Sequence, residues 1–316
     1  MYEKNERQEV TIVTGFFDIG RKDWGKFSRD NQKYVDYFRF WARMQNKVII
    51  YTNPGMEESI REACREFNRE DRTEIIVVED VTQFDAEVFQ AMEKALSHPL
   101  AVKFRLMPQN PECHSAYYDF IMFVKPFLVQ DAIKRGLADG TIAWMDFGYN
   151  HGGEYYADPK EFDFLWTVQL AEDKVHLFTV SDLDDMPIFE IVRQMPVYIT
   201  GGMVIASARL WPQLAALYHR SAMALAYCGF ADDDQTLSIM SCRMAPELFE
   251  LHPINPESWF QPLELTSEKI MTKVVPEKEK PHKLSKAQAK LACSKKQYFL
   301  GMKCFGKYVV QKMLGR

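Results

Sequence analysis

Nowhere in the 316 residues is there an apolar run of about 18, so a membrane-spanning helix is excluded on length alone. The opening MYEKNERQEV is charged where a secretory leader would be apolar, and a cytoplasmic chain is expected. Six cysteines (Cys64, Cys113, Cys228, Cys242, Cys293 and Cys304) lie far apart with no CxxC pair, which argues against a zinc ribbon or a disulfide framework and predicts free thiols. GxGxxG and the GxxxxGK phosphate loop are both missing, against a dinucleotide dehydrogenase or a P-loop enzyme. The seven histidines form no cluster along the chain, which counts against a metal-dependent hydrolase.

What the chain does have is apolar bulk: 47% hydrophobic and 13% aromatic residues, ample for a large core. Its charge is divided. Residues 273–316 hold twelve Lys or Arg against two Glu, a net of +10, so the other 272 residues carry −15 of the total −5. Residues 1–272 are expected to be the main domain and 273–316 a basic linker and amphipathic helical tail, with PEKEKP at 276–281 as the linker. Tail aromatics such as Tyr298, Phe299, Phe305 and Tyr308 among the lysines suit an anionic membrane surface, contacted through 281–316. A partner-binding or disordered tail is the alternative. Nucleic acid is disfavoured, since no recognised module surrounds the basic residues.

VTIVTGFF (10–17) predicts a buried strand that stops at Asp18, Gly20 and Arg21. Residues 31–46 place Tyr34, Tyr37, Phe38, Trp41 and Met44 at helical spacing. KVIIYT (47–52), a helix over 56–67 and TEIIVVE (73–79) complete a βαβαβ rhythm, the pattern of a parallel half-sheet flanked by helices. A helix over 115–135 follows. TIAWMDFGY (141–149), KVHLFTV (174–180) and VYITGGMVIAS (197–207) then read as strands, 208–227 as a helix, Gln235 as the opening of another, and 248–252 as a short strand.

Several residues carry candidate chemistry. Asp146 ends a buried strand, where a carboxylate can hold a ribose hydroxyl or a cation against a diphosphate, or can simply form a turn. Asp232, Asp233 and Asp234 repel one another, which suits metal ligation or a general base; an exposed helix-capping loop is the plain alternative. Gly201 and Gly202 interrupt a β-branched strand, a mark of a bulge or of close ligand approach. His252 is a metal ligand or a satisfied core histidine. Arg21, Lys103, Arg105 and Lys125 could neutralise a diphosphate, and HGGEYY after Tyr149 offers loop chemistry only.

The order of these features, half-sheet, strand ending in Asp, glycine-bearing strand, Asp-rich loop and late His, is that of a GT-A glycosyltransferase. TIVTGFFDIGRKDWG, YYDFIMFVKPFLVQDAI, IAWMDFGY and GGMVIASARLWP resemble the HtrL/YibB family of bacterial surface-polysaccharide and lipopolysaccharide gene clusters, over about residues 10–260. The resemblance implies an α/β, GT-A-like fold, a nucleotide-binding half-sheet continuing into a mixed sheet. It implies a nucleotide-sugar-dependent glycosyltransferase of hexosyltransferase type, UDP-sugar being the first choice of donor. The acceptor would be a glycan or lipid-linked molecule in lipopolysaccharide, O-antigen or capsule biosynthesis, at the inner face of the cytoplasmic membrane.

Asp146 then matches the first carboxylate of the DxD element, while Gly148 stands where the second would be. Mn²⁺ or Mg²⁺ would bind through Asp146 and His252, or Arg and Lys would replace the metal. On this reading Thr14, Phe16 and Asp18 lie by the base and ribose, and Arg21 and Lys125 face the diphosphate. Tyr149, Gly201, Gly202 and Gln235 complete the donor site, with Asp233 or Asp234 as the catalytic base. A non-catalytic scaffold that binds a nucleotide sugar or glycan is the alternative function.

Overall fold

A computed structural model describes residues 7–24, 30–256 and 258–274. Its strands are β1 (Gln8–Phe16), β2 (Val48–Thr52), β3 (Thr73–Val77), β4 (Thr141–Met145), β5 (Thr167–Val168), β6 (Val175–Thr179), β7 (Met203–Ser207) and β8 (Phe249–Pro253). They form one mixed sheet in the order β3-β2-β1-β4-β7-β6-β8, with β5 paired to the start of β1. From β3 to β4 every pair is parallel, as the βαβαβ rhythm predicts. Antiparallel β7 then joins β4 to β6, and β8 runs parallel to β6 at the edge. A nucleotide-type half-sheet continuing into a mixed one is the GT-A-like arrangement.

Strand alternation divides the core into two layers. Val13, Ile49, Tyr51, Ile142, Trp144, Val204 and Ala206 face one side. That side is covered by α3 (Ala86–Leu96), α5 (Ala116–Phe123), α6 (Lys125–Lys134), α8 (Trp211–Tyr227) and α9 (Asp234–Met244), with α8 packing on α3, α6 and α9. Ile12, Ile50, Ala143, Met145, Ile205 and Phe178 face the other, under α1 (Asn31–Trp41), α2 (Glu57–Glu66) and the aromatic loop at 147–166. Helix starts are set by side-chain caps: Asp30, Asp85, Ser115 and Asp233 accept backbone N–H groups at α1, α3, α5 and α9, each worth about 1 kcal/mol.

Three elements differ from the sequence reading. The helix expected over 115–135 breaks at Val124, because Pro126 has no N–H to continue α5 and fits only the first turn of a new helix, α6. The strand expected over 197–207 begins only at Met203; Gly201 and Gly202 form a turn, and Ile199 makes a single bridge to Thr179. Short helices α4 (Pro99–Phe104), α7 (Ile188–Gln194) and α10 (Pro262–Thr266) carry too few periodic residues to announce themselves. Among the described residues no helix is long and apolar enough to cross a membrane. The amphipathic tail expected at 281–316 lies outside them.

Candidate active site

The parallel strands β1 and β4 finish on one edge of the sheet, and antiparallel β7 starts there. One further rung, from the Asp146 N–H to the Gly202 carbonyl at 2.9 Å, ties the ends of β4 and β7 together. Asp146 lies two residues beyond Trp144 and so on the same face, where the Trp144 indole N–H donates to its Oδ1 at 2.8 Å. The layer over that face delivers a lysine. Lys125, first residue of α6, puts Nζ 2.9 Å from Asp146 Oδ1 and 2.6 Å from Asp234 Oδ2, and donates to the Gly201 carbonyl at 3.0 Å. All three ammonium protons therefore have acceptors.

The Lys125 and Asp234 side chains are 6% and 5% exposed, whereas that of Asp146 is 41% exposed and opens to solvent. Burial works against the charge on Lys125, but Asp146 and Asp234 outweigh it and hold its pKa above the ordinary lysine value. Burial likewise pushes Asp234 up, opposed by Lys125 and assisted by the negative charge of Asp146. Gly201 closes over this pair. A Cβ on it would run into the Asp234 carboxylate, so a side chain at this position requires that buried, ion-paired group to shift.

Behind Asp234 the other two aspartates diverge. Asp232 is buried against the Arg105 guanidinium at 3.2 Å and accepts from the Thr236 hydroxyl at 2.9 Å. Asp233 caps α9 by accepting from the Gln235 N–H at 3.0 Å, and its half-buried side chain reaches the cleft. Burial, then Asp232 and Asp234, push its pKa well above the usual carboxylate range. Asp119 of α5 is fully buried, and neither carboxyl oxygen has a hydrogen-bond partner among the described residues. Burial, with Asp232 and Asp233 nearby, raises its pKa strongly.

The cleft in front of Asp146 has a volume of about 470 Å³. Phe16 stacks between Tyr34 and Phe147 on one wall, with ring centroids 5.0 and 5.1 Å away. Arg21 lies 5.6 to 5.9 Å from the ring centroids of Trp24, Tyr34 and Tyr118 and donates to the Tyr34 hydroxyl at 2.6 Å. Its Nε–H has no partner among the described residues.

At the rim Trp259 is 40% exposed. The segment carrying it is tied down by the Phe260 carbonyl, which accepts from the hydroxyls of Tyr149 at 2.6 Å and Tyr156 at 2.7 Å. The remaining wall is the loop after Tyr149. Asn150 and His151 have φ of 63° and 43°, a conformation uncommon outside glycine, and it is fixed by the buried Asn150 amide bonding the backbone of Tyr155 and Tyr156. His151 and Glu154 from this loop line the cleft.

Phe16, Arg21, Lys125, Asp146, Tyr149, Gly201, Gly202, Asp233, Asp234 and Gln235 thus meet around one cavity. The other sequence-derived candidates do not. Thr14 lies within β1, is fully buried and is absent from the cleft lining. Asp18 is exposed past the strand, where its Oδ1 accepts from the Gly20 N–H in a local turn. His252 belongs to β8, with β7 and β6 between it and β4, and lies beside His176. Lys103 is exposed on α4, and Arg105 is committed to Asp232.

The sequence reading missed Tyr34 and Tyr118, read as helix faces, and Trp259. It also passed over HGGEYY, whose paired glycines were the available signal for an unusual loop.

A divalent cation fits poorly at Asp146. Its Oδ1 already serves Lys125 and Trp144, Asp234 is taken by the same ammonium, and hard cations need several oxygens converging on one point. At Gly148 a Cβ would lie in van der Waals contact with the Tyr34 and Tyr37 rings at 3.4 Å.

The chain belongs to the HtrL_YibB family, described as a bacterial protein of unknown function, whose model matches residues 8–268. Protein HtrL of Escherichia coli (strain K12) is 29% identical over 269 residues, spanning 80% of this chain and 91% of that protein. Among solved structures, mouse xyloside xylosyltransferase 1 in its apo form aligns at 15% identity with a TM-score of 0.44, covering 77% of this chain and 84% of that one. The WbbM bifunctional glycosyltransferase apo structure aligns at 13% identity and a TM-score of 0.38, covering 87% of this chain and 47% of that one.

Proposed function

We propose that this chain is a glycosyltransferase that holds a nucleotide-sugar donor in the aromatic cleft and transfers the sugar to an acceptor hydroxyl. The observation that carries the reading is the Asp146, Lys125 and Asp234 constellation at the carboxyl edge of a nucleotide-type half-sheet, open to a cleft of small-ligand size.

The free oxygen of Asp146 accepts a hydroxyl of the ribose or of the donor sugar. Lys125 offsets the two carboxylates that would otherwise repel a diphosphate, and takes the place a divalent cation would fill. Arg21, whose Nε–H is uncommitted among the described residues, donates to a phosphate oxygen. That bond strengthens as charge builds on the departing nucleotide diphosphate, which is what makes a bond catalytic.

Asp233 is the acceptor's base. It reaches the cleft, and its raised pKa brings it closer to the proton it must remove. Asp234, buried and paired, is a positioning residue for Lys125. A UDP-sugar is the proposed donor. The proposed setting is lipopolysaccharide, O-antigen or capsule biosynthesis, for which family membership is the support, with residues 281–316 bringing the chain to an anionic membrane face.

The test is a thermal-shift panel of nucleotide diphosphates and nucleotide sugars with Mn²⁺, Mg²⁺ or chelator, since a ligand of the folded state alone raises Tm. One nucleotide family should raise Tm in chelator as well as in metal, and lose the effect in Asp146→Ala. A Tm unmoved by every nucleotide would overturn the reading. Binding without transfer to any acceptor, unaffected by Asp233→Ala, would leave a binding scaffold.

A further inference from the structure

At the lateral edge of the sheet, two strands beyond β7, β8 is held to the rest by β6. Their parallel register sets His176 against Glu250 and Phe178 against His252. Glu250 and His252, two residues apart, therefore share a face, and His176 projects toward them from the neighbouring strand. One ligand atom from each of the three lies within 4.8 Å of the other two. His176 Nδ1 is 2.9 Å from His252 Nε2 and 3.5 Å from Glu250 Oε2.

The protonation of His176 can be read from its other nitrogen. Nε2 is 2.8 Å from the Ala171 carbonyl, which can only accept, so Nε2 carries the proton. In the neutral ring Nδ1 is then a bare lone pair aimed at His252 and Glu250. A ring whose far N–H is anchored on a backbone carbonyl is oriented as metal-bound histidines are.

We propose that His176, Glu250 and His252 form a zinc site that stitches edge strand β8 to β6. Two imidazoles and one carboxylate suit zinc better than magnesium or calcium. With Zn–N bonds of about 2.0–2.1 Å, two nitrogens of a tetrahedral site stand about 3.3 Å apart, so the rings need open by only about 0.4 Å. Glu250 is on the exposed side and His252 is partly exposed, which gives the ion an entry path and leaves a fourth position for water. The site is independent of the cleft and does not rest on the transferase reading.

The competing arrangement is a metal-free hydrogen bond from the His252 Nε2–H to His176 Nδ1. To separate the two, the untagged full chain is stripped with chelator, loaded with Zn²⁺ and desalted, and bound zinc and Tm are measured. X-ray absorption of the loaded protein then counts imidazole ligands. The expected result is one zinc equivalent on two histidines and a higher Tm. Glu250→Gln, a surface change that removes a direct ligand, should weaken zinc binding by more than the about 10- to 100-fold that loss of an outer-shell partner costs. His252→Asn should abolish the equivalent, and Asp146→Asn should keep it. A wild-type chain that retains no zinc, or zinc retained equally in Glu250→Gln and His252→Asn, would overturn the proposal.

Discussion

Replacing Lys125 with Met keeps the bulk of the side chain and deletes its charge. Asp234, 5% exposed and 2.6 Å from Nζ, is then left without its counter-ion. Breaking a buried pair from one side costs about 3–5 kcal/mol, because the remaining charge has neither water nor partner. The Asp146 contact adds little, since 41% exposure lets solvent screen it. Asp234→Asn should cost less, as Lys125 keeps Asp146.

The double variant Lys125→Met with Asp234→Asn should recover about 2 kcal/mol relative to the sum of the single losses, the size of coupling seen for contacting groups. Urea denaturation followed by fluorescence measures all three. In Lys125→Met the raised pKa of Asp234 loses its largest opposing influence, so the folded state binds a proton more readily than the unfolded state. Stability of that variant should be greatest below the unfolded carboxylate value of about 4 and should fall as pH rises through the folded value. A variant within about 1 kcal/mol of wild type at neutral pH, or single losses that simply add, would refute the assignment of a buried, coupled pair.

Gly201→Ala should destabilise by about 1–3 kcal/mol as its Cβ displaces the Asp234 carboxylate, and should weaken nucleotide binding with it; denaturation and titration read the two. Asp119→Asn should stabilise the chain at neutral pH by about 1–3 kcal/mol, since the buried carboxyl must hold a proton there that the unfolded chain has lost, and the neutral carboxamide need not. Because the folded pKa of Asp119 is raised, this advantage should be absent near pH 4 and grow as pH rises through the folded value; a gain flat with pH would contradict it. Trp259→Ala should lower nucleotide or nucleotide-sugar affinity by about 1–3 kcal/mol if a base stacks there. Calorimetry should show it with the melting temperature almost unmoved, and an unchanged Kd would remove Trp259 from the site.

The parallel half-sheet could be read from the chain because its strands are β-branched runs with helical periodicity between them. Asp146 could be read because a charge after a buried run is rare. The pairing of Lys125 with Asp234 could not, since 109 residues separate them and only the meeting of two helix starts joins them. Asp232, Asp233 and Asp234 look alike in sequence, yet the first turn of α9 points them at a guanidinium, the cleft and an ammonium. His252 was read as sharing a metal with Asp146, and the structure sets it beside His176 instead, because strand order, which places β8 next to β6, leaves no local trace. Gly201 was read as a bulge or a place of close ligand approach; it lines the cleft, and the Asp234 carboxylate occupying the place of its Cβ left no sign in the sequence.

The contact between Gly201 and Asp234 also constrains the order in which these positions can change. Position 201 can gain a side chain without displacing a carboxylate only in a chain where 234 has already lost one. That loss in turn leaves the Lys125 charge balanced by the solvent-facing Asp146, with the Gly201 carbonyl as its other acceptor. Each substitution taken first is deleterious and becomes tolerable only in the background of another, so the three positions form a ratchet: descendants of this sequence can leave the arrangement only through a less stable intermediate or by several changes together.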